Sequence, residues 1–159
     1  PVQLDLISKL INRSKAKLVG TDYGGGFDRN DALMRIFGRH RVLKYQYAGR
    51  PNQKLVWQPK LGRFIVHRTE VMSDVFNAIK RRELRFPRWG EFRSPYAEDM
   101  LNIFSEHNDA LNMTQYKLSV GKSDDTFHSI LYCFLVSMLM VSRPDILIPN
   151  KENDVVMPG

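Results

Sequence analysis

A chain of 159 residues, 43% hydrophobic and 11% aromatic, holds enough apolar side chains for one folded domain and excludes an intrinsically disordered protein. Its 24 lysines and arginines against 17 aspartates and glutamates leave a net charge of +7 and a pI of about 9.7, which favours a polyanionic partner such as nucleic acid. The single cysteine, Cys133, excludes an internal disulfide and fits a reducing compartment.

The opening, "PVQLDLISKL", lacks the basic start and unbroken apolar stretch of a secretory signal. Residues 3–16 carry Leu4, Ile7, Leu10 and Ile11 on one helical face. "KLVGTDYGGG" predicts a short buried strand over 17–21 that ends at Asp22 and a glycine-rich turn. Asn30 is expected to cap a helix that turns Ala32, Leu33, Ile36 and Phe37 inward and stops at Gly38. "RVLKYQYAG" alternates Val42, Lys44 and Gln46 with Leu43, Tyr45 and Tyr47, the period of a strand. "KLVWQ" and "RFIVHR" predict two more strands on either side of "PKLG".

Thr69 is expected to cap a helix with Met72, Val75, Phe76 and Ile79 facing inward, running into "KRRELR" and stopping by Pro87. "PRWGEFRSP" predicts a loop with Trp89 and Phe92 tucked in. Residues 96–107 predict a helix with Met100, Ile103 and Phe104 as its core face, and "YKLSV" a short strand. Ser123 is expected to cap a long helix with Phe127, Ile130, Leu131, Phe134, Leu135 and Met138 on its apolar side. That run is interrupted by His128, Ser129 and Ser137 and falls short of the roughly 20 residues of a bilayer crossing, so it predicts a buried helix and no membrane partner. Residues 143–159, polar and punctuated by proline, predict a tail. Helices interspersed with strands imply an α/β sandwich.

"GKSDD" at 121–125 admits two opposed readings. A phosphate loop needs G-x-x-x-x-G-K-[ST], but its first position here is Tyr116, which lacks the backbone freedom of glycine. Asp124 and Asp125 would also sit in the first helical turn, where phosphate is drawn by backbone N–H groups and the helix dipole. The acidic reading suits both facts. Carboxylates at a helix start are favoured by the dipole, and their oxygens suit a hard cation such as Mg²⁺ or Mn²⁺. Simple capping of the helix is the plainer role for the pair. Asp22 adds a second acid, at the carboxyl end of a strand, where α/β sheets place their sites. His128 follows Asp124 by four residues and Asp125 by three, so it shares their helix face.

"LVGTDYGGG", "VHRTEVMSDVFNAIKRRELRFPRW" and "GKSDDTFHSILYCFL", in this order and spacing, resemble the nuclease domain of viral DNA-packaging terminase large subunits. The resemblance covers roughly residues 1–142 and leaves 143–159 as a C-terminal tail. It implies an α/β fold of ribonuclease H-like type, a mixed sheet flanked by helices. It also implies an endonuclease that cuts concatemeric viral double-stranded DNA by two-metal phosphodiester hydrolysis with Mg²⁺ or Mn²⁺. On this resemblance Asp22 matches the later-strand acid and Asp124 or Asp125 the helix acid, with His128 beside them as a candidate for contact with metal, water or the scissile phosphate. The first-strand acid has no counterpart: Asp5 belongs to a helix pattern, and Glu70, Glu83 and Glu106 are poor substitutes. The expectation is therefore an N-terminally incomplete domain, a C-terminal piece of a larger protein, weakly active in isolation. The implied partners are the terminase ATPase domain, the small subunit and the portal, in the host cytoplasm and transiently at the procapsid.

The basic residues cluster. "KRRELRFPR" brings together Lys80, Arg81, Arg82, Arg85 and Arg88, with Arg68, Arg39 and Arg41 elsewhere. Such residues beside aromatics hold phosphate backbone without reading bases, with strongly salt-dependent affinity. The plainer reading is a solvated helix end with cations favourable at its C-terminus. Two rivals to the nuclease remain: a non-catalytic DNA- or portal-binding module that keeps the fold, and a nucleotide binder acting through Lys122.

Overall fold

The computed structural model describes residues 2–24, 27–48, 53–110 and 112–142. In chain order α1 (Val2–Ser14), β1 (Val19–Asp22), α2 (Phe27–Phe37), β2 (Val42–Tyr47), β3 (Leu55–Gln58), β4 (Arg63–Val66) and α3 (Arg68–Lys80) build the first part. Two one-turn helices follow, α4 (Trp89–Phe92) and α5 (Glu98–Leu101), then a hairpin of β5 (Ile103–Asn108) and β6 (Met113–Leu118), and α6 (Asp125–Ser142).

The alternation along β2 sets the layers. Leu43 and Tyr45, with Tyr47 against them, face a core completed by Val71, Met72 and Val75 of α3 and Phe127, Leu131 and Leu135 of α6. Val42 faces the other side, where Ile11 of α1 and Leu33 and Phe37 of α2 close a second core. Lys44, buried on that second side, keeps its ammonium 3.8 Å from Asp31. The sheet order is β1-β2-β4-β3, parallel except for the antiparallel edge strand β3. The molecule is a mixed α/β protein, a mixed sheet flanked by helices.

Helix α6 lies directly on β1 because Gly20 has no side chain. A Cβ there would stand 3.0 Å from the Cβ and carbonyl oxygen of Tyr132 and from a Val136 methyl. By length and composition α6 passes for a membrane span, yet Phe127, Leu131, Tyr132, Leu135, Val136 and Leu139 are buried against the sheet and α3.

Several expectations are corrected. Residues 96–107 are not one helix: α5 ends at Leu101, and Ile103–Asn108 pairs antiparallel with β6, so Phe104 points outward. Trp89 is 62% exposed instead of tucked in. Asn30 lies inside α2, buried, and donates to the Asp22 carbonyl at 2.7 Å, tying the end of β1 to that helix. His67, not Thr69, precedes α3 at its cap. Strand β1 begins at Val19, two residues later than expected. Leu10, Ile36 and Met138 are exposed: each buried stripe is narrower than its apolar spacing suggested, because only one line of each helix meets the sheet. The expected tail and Gly25 and Gly26 of the glycine-rich turn lie outside the described residues.

The head of α6 is capped from two sides. The Asp125 N–H donates to the Ser123 hydroxyl at 3.2 Å, as the expected capping role of Ser123 requires, although the helix itself starts one residue further on than that role implied. Asp99 at α5 accepts from the Thr126 hydroxyl at 2.9 Å and from the Thr126 N–H at 3.4 Å. A cap of this kind is worth about 1 kcal/mol. Asp99→Ala is therefore expected to lower unfolding free energy by about that amount in urea melts, and Asp99→Asn by less.

Candidate functional site

Because β1, β2 and β4 are parallel neighbours, their carboxyl ends, Asp22, Tyr47 and Val66, share one edge of the sheet. Open α/β sheets present ligands at that edge. α3 starts two residues beyond β4 and so delivers Arg68 there, and α6 brings its first two turns to it.

The polar groups at this edge are joined. The Tyr132 hydroxyl donates to Asp22 Oδ1 at 3.2 Å. The Tyr47 hydroxyl lies 2.6 Å from His128 Nδ1, and His128 Nε2 lies 3.0 Å from Asp124 Oδ2. Arg68 Nη2 stands 3.8 Å from the same Asp124 oxygen, with its guanidinium 6.0 Å from the centre of the Tyr47 ring. Arg68 opens α3, where the helix dipole disfavours a cation, and the Asp124 carboxylate offsets that placement. The rings of Tyr45, Tyr132 and Tyr47 stack beside the cluster, 5.6 Å and 6.1 Å apart.

Both carboxylates act on one phenol. Burial pushes Tyr47 up to about 12, the charges of Asp22 and Asp124 add to that rise, and Tyr132 and Arg68 oppose it. Burial raises Tyr45 and Tyr132 further, Tyr132 also through Tyr47 and Asp22. These folded values lie above those of the unfolded chain. Their contribution to stability is thus complete below about pH 10 and is lost as pH rises through the folded value. In urea unfolding the tyrosines are expected to leave stability unaffected up to about pH 10 and to lower it beyond, Tyr47 by at most about 2.7 kcal/mol. Tyr47→Phe is expected to shallow that alkaline fall, and an unchanged pH profile would count against a buried Tyr47 phenol.

The two aspartates of the "DD" pair separate. Asp124 is largely buried, its side chain 17% exposed, and faces the cluster. Asp125 is exposed, and its carboxylate accepts from the Ser123 hydroxyl at 3.1 Å. Asp22, Asp124, His128 and Arg68 therefore meet at one edge, and Asp125 does not join them. Lys80, Arg81, Arg82, Arg85 and Arg88 are all exposed, at and beyond the other end of α3. Twelve residues of helix, about 18 Å, separate Lys80 from Arg68, so the basic residues form two groups. Arg81 is held by Glu83 through hydrogen bonds of 2.6 Å and 3.0 Å. Of the acids weighed as a third ligand, Glu70 lies 3.3 Å from His67, Glu83 is on Arg81, and Glu106 pairs with Lys117 on the hairpin. Among the described residues no three His, Cys, Asp or Glu side chains come together as a metal-holding group.

Sequence reasoning missed both tyrosines, giving Tyr132 no role and using Tyr47 only as a member of the strand alternation. The available signal was that Tyr132 lies one helical turn after His128 and Tyr47 ends the central strand. The phosphate-loop reading loses its footing, since Tyr116 belongs to β6, stacked on Phe76 and 3.1 Å from the Ser73 hydroxyl. No protein-family model, curated protein or solved structure matches this chain.

Proposed function

We propose that this chain is the metal-dependent endonuclease domain of a viral DNA-packaging motor, ribonuclease H-like in fold, acting on concatemeric double-stranded DNA. The observation that carries the reading is the gathering of one strand-end carboxylate, Asp22, and one helix-head carboxylate, Asp124, around the phenol of Tyr47. Carboxylate oxygens are the donors that hard cations take, so the chemistry of Asp22 and Asp124 fits Mg²⁺ or Mn²⁺ and these two residues would hold it. Such ions, when bound, activate water and stabilise the leaving oxygen in phosphodiester hydrolysis.

The protein's own groups do the positioning. His128, between Tyr47 and Asp124, fixes the orientation of the Asp124 carboxylate and keeps an exchangeable proton one bond away from it. Arg68 brings a permanent positive charge to the same edge, suited to a phosphate oxygen. The ATPase domain, small subunit and portal are the partners of this reading. One observation favours the non-catalytic DNA- or portal-binding alternative: Asp124 already has His128 and Arg68 as cationic or hydrogen-bonding neighbours, which compete with a metal ion. Supercoiled plasmid incubated with the chain and Mn²⁺ separates the two. Nicking that EDTA abolishes supports the nuclease, and intact plasmid at protein concentrations that bind it supports the non-catalytic module.

A further inference from the structure

The carboxylate edge makes no use of the segment after α3. Residues 80–96 carry six cations, Lys80, Arg81, Arg82, Arg85, Arg88 and Arg93, against only Glu83 and Glu91. Glu83 is taken up by Arg81, and among the described residues Arg82, Arg85, Arg88 and Arg93 form no ion pair. Interleaved with them is a column of rings. Phe86 stacks on Phe92 with centroids 4.9 Å apart and planes at 25°, and Phe92 on Tyr96 at 5.9 Å and 19°. Tyr96, at the end of the column, is 48% exposed, and Trp89, one helical turn before Phe92, is 62% exposed. Folding has left two large rings in water among unpaired arginines.

We propose that Trp89 and Tyr96, with Arg85, Arg88 and Arg93, form a stacking platform for single-stranded nucleic acid. Open ring faces beside phosphate-binding cations are what an unpaired strand requires, since every base offers a π-face and every nucleotide a negative charge. A duplex hides its base faces and would use the arginines alone. A second copy of this chain is a poor occupant, because the patch would meet a protein that is itself basic. The platform is firmly seated: Ala97 is buried, and Asp99 is bonded to Thr126 in the first turn of α6, two residues after Asp124. A strand lying on it is thereby led toward the helix head that carries Asp124. Only that direction rests on the nuclease reading; the binding needs no metal.

The test uses the whole chain in EDTA with a labelled oligothymidylate of about 15 nucleotides and a duplex of equal length. The oligothymidylate is expected to bind and to quench tryptophan emission, because Trp57, the other tryptophan, sits against Phe64 and supplies a constant background. Trp89→Ala with Tyr96→Ala is expected to weaken oligothymidylate binding at least ~10-fold, given that each base–ring stack is worth about 1–3 kcal/mol, and to change duplex affinity less than ~2-fold. The melting temperature is expected to fall only slightly, since Trp89 is 62% exposed and Tyr96 loses little beyond its stack on Phe92. Unchanged oligothymidylate affinity in the double variant, equal losses on both nucleic acids, or a concentration-dependent dimer that the substitutions dissolve would each overturn the proposal. Asp22→Asn is expected to bind oligothymidylate as the native chain does, so loss of the nuclease reading and loss of the platform register in different measurements.

Discussion

Asp22→Asn is expected to reduce Mn²⁺-dependent plasmid nicking at least ~100-fold, a loss of about 2.7 kcal/mol in transition-state stabilisation. The substitution is nearly isosteric. It leaves an oxygen to accept from Tyr132 and keeps the backbone carbonyl that Asn30 holds, while it removes the charge that a divalent cation needs. Folding is therefore expected to survive, with a melting temperature close to native, and only metal-dependent chemistry to fall. Asp124→Asn should act in the same sense, whereas Asp125→Asn, altering a carboxylate turned to solvent and Ser123, should change nicking less than ~3-fold. Nicking by Asp22→Asn at the native rate would remove Asp22 from the site and with it the two-carboxylate reading.

The largest stability effect is expected at Gly20. Its place between β1 and α6 leaves no room for a methyl, because the neighbouring atoms include a helix carbonyl and a Cβ, neither of which can rotate away. Gly20→Val must push α6 off the sheet, and overpacking of this kind costs about 3 kcal/mol where the backbone has to move. Gly20→Ala is expected to cost less, about 1 kcal/mol, since a shift of a few tenths of an ångström suffices. The same displacement carries Tyr132 away from Asp22, so the valine variant should lose nicking more steeply than stability alone dictates. Urea melts of the three proteins check the order, and equal midpoints would mean that α6 does not lie where the close approach puts it.

The parts of the fold that were legible in the sequence are those where burial imposes a period. "VLKYQY" alternates because its two sides close two different cores, and the run from Phe127 reads as a helix because its fourth-residue spacing is buried. Asp22 stood out because it ends an apolar strand, at the edge where α/β sheets place their sites. The hairpin at 103–118 did not stand out: Met100, Ile103 and Phe104 fall at helical spacing, and only the partner strand, ten or more residues away, makes Ile103 and Phe104 point in opposite directions. Trp89 misled for a related reason. Hydrophobicity argues for burial, and nothing local states that the described residues leave that ring 62% exposed. The choice between Asp124 and Asp125 was equally closed to the sequence, since it depends on how far α6 rotates when Phe127 and Leu131 enter the core. Tyr47 and Tyr132 sit at core positions, so their hydroxyls gained partners only through tertiary placement.

The bond from Tyr132 to Asp22 spans 110 positions of chain. At ribosomal speeds of about 5–20 residues per second, the strand-end acid exists for roughly 5–20 s before the tyrosine that braces it has been made. β1 must meanwhile leave one side uncovered, and the helix that seals it is the last element described. The brace that Tyr132 gives Asp22 is thus withheld until α6 has been made, a delay built into connectivity alone.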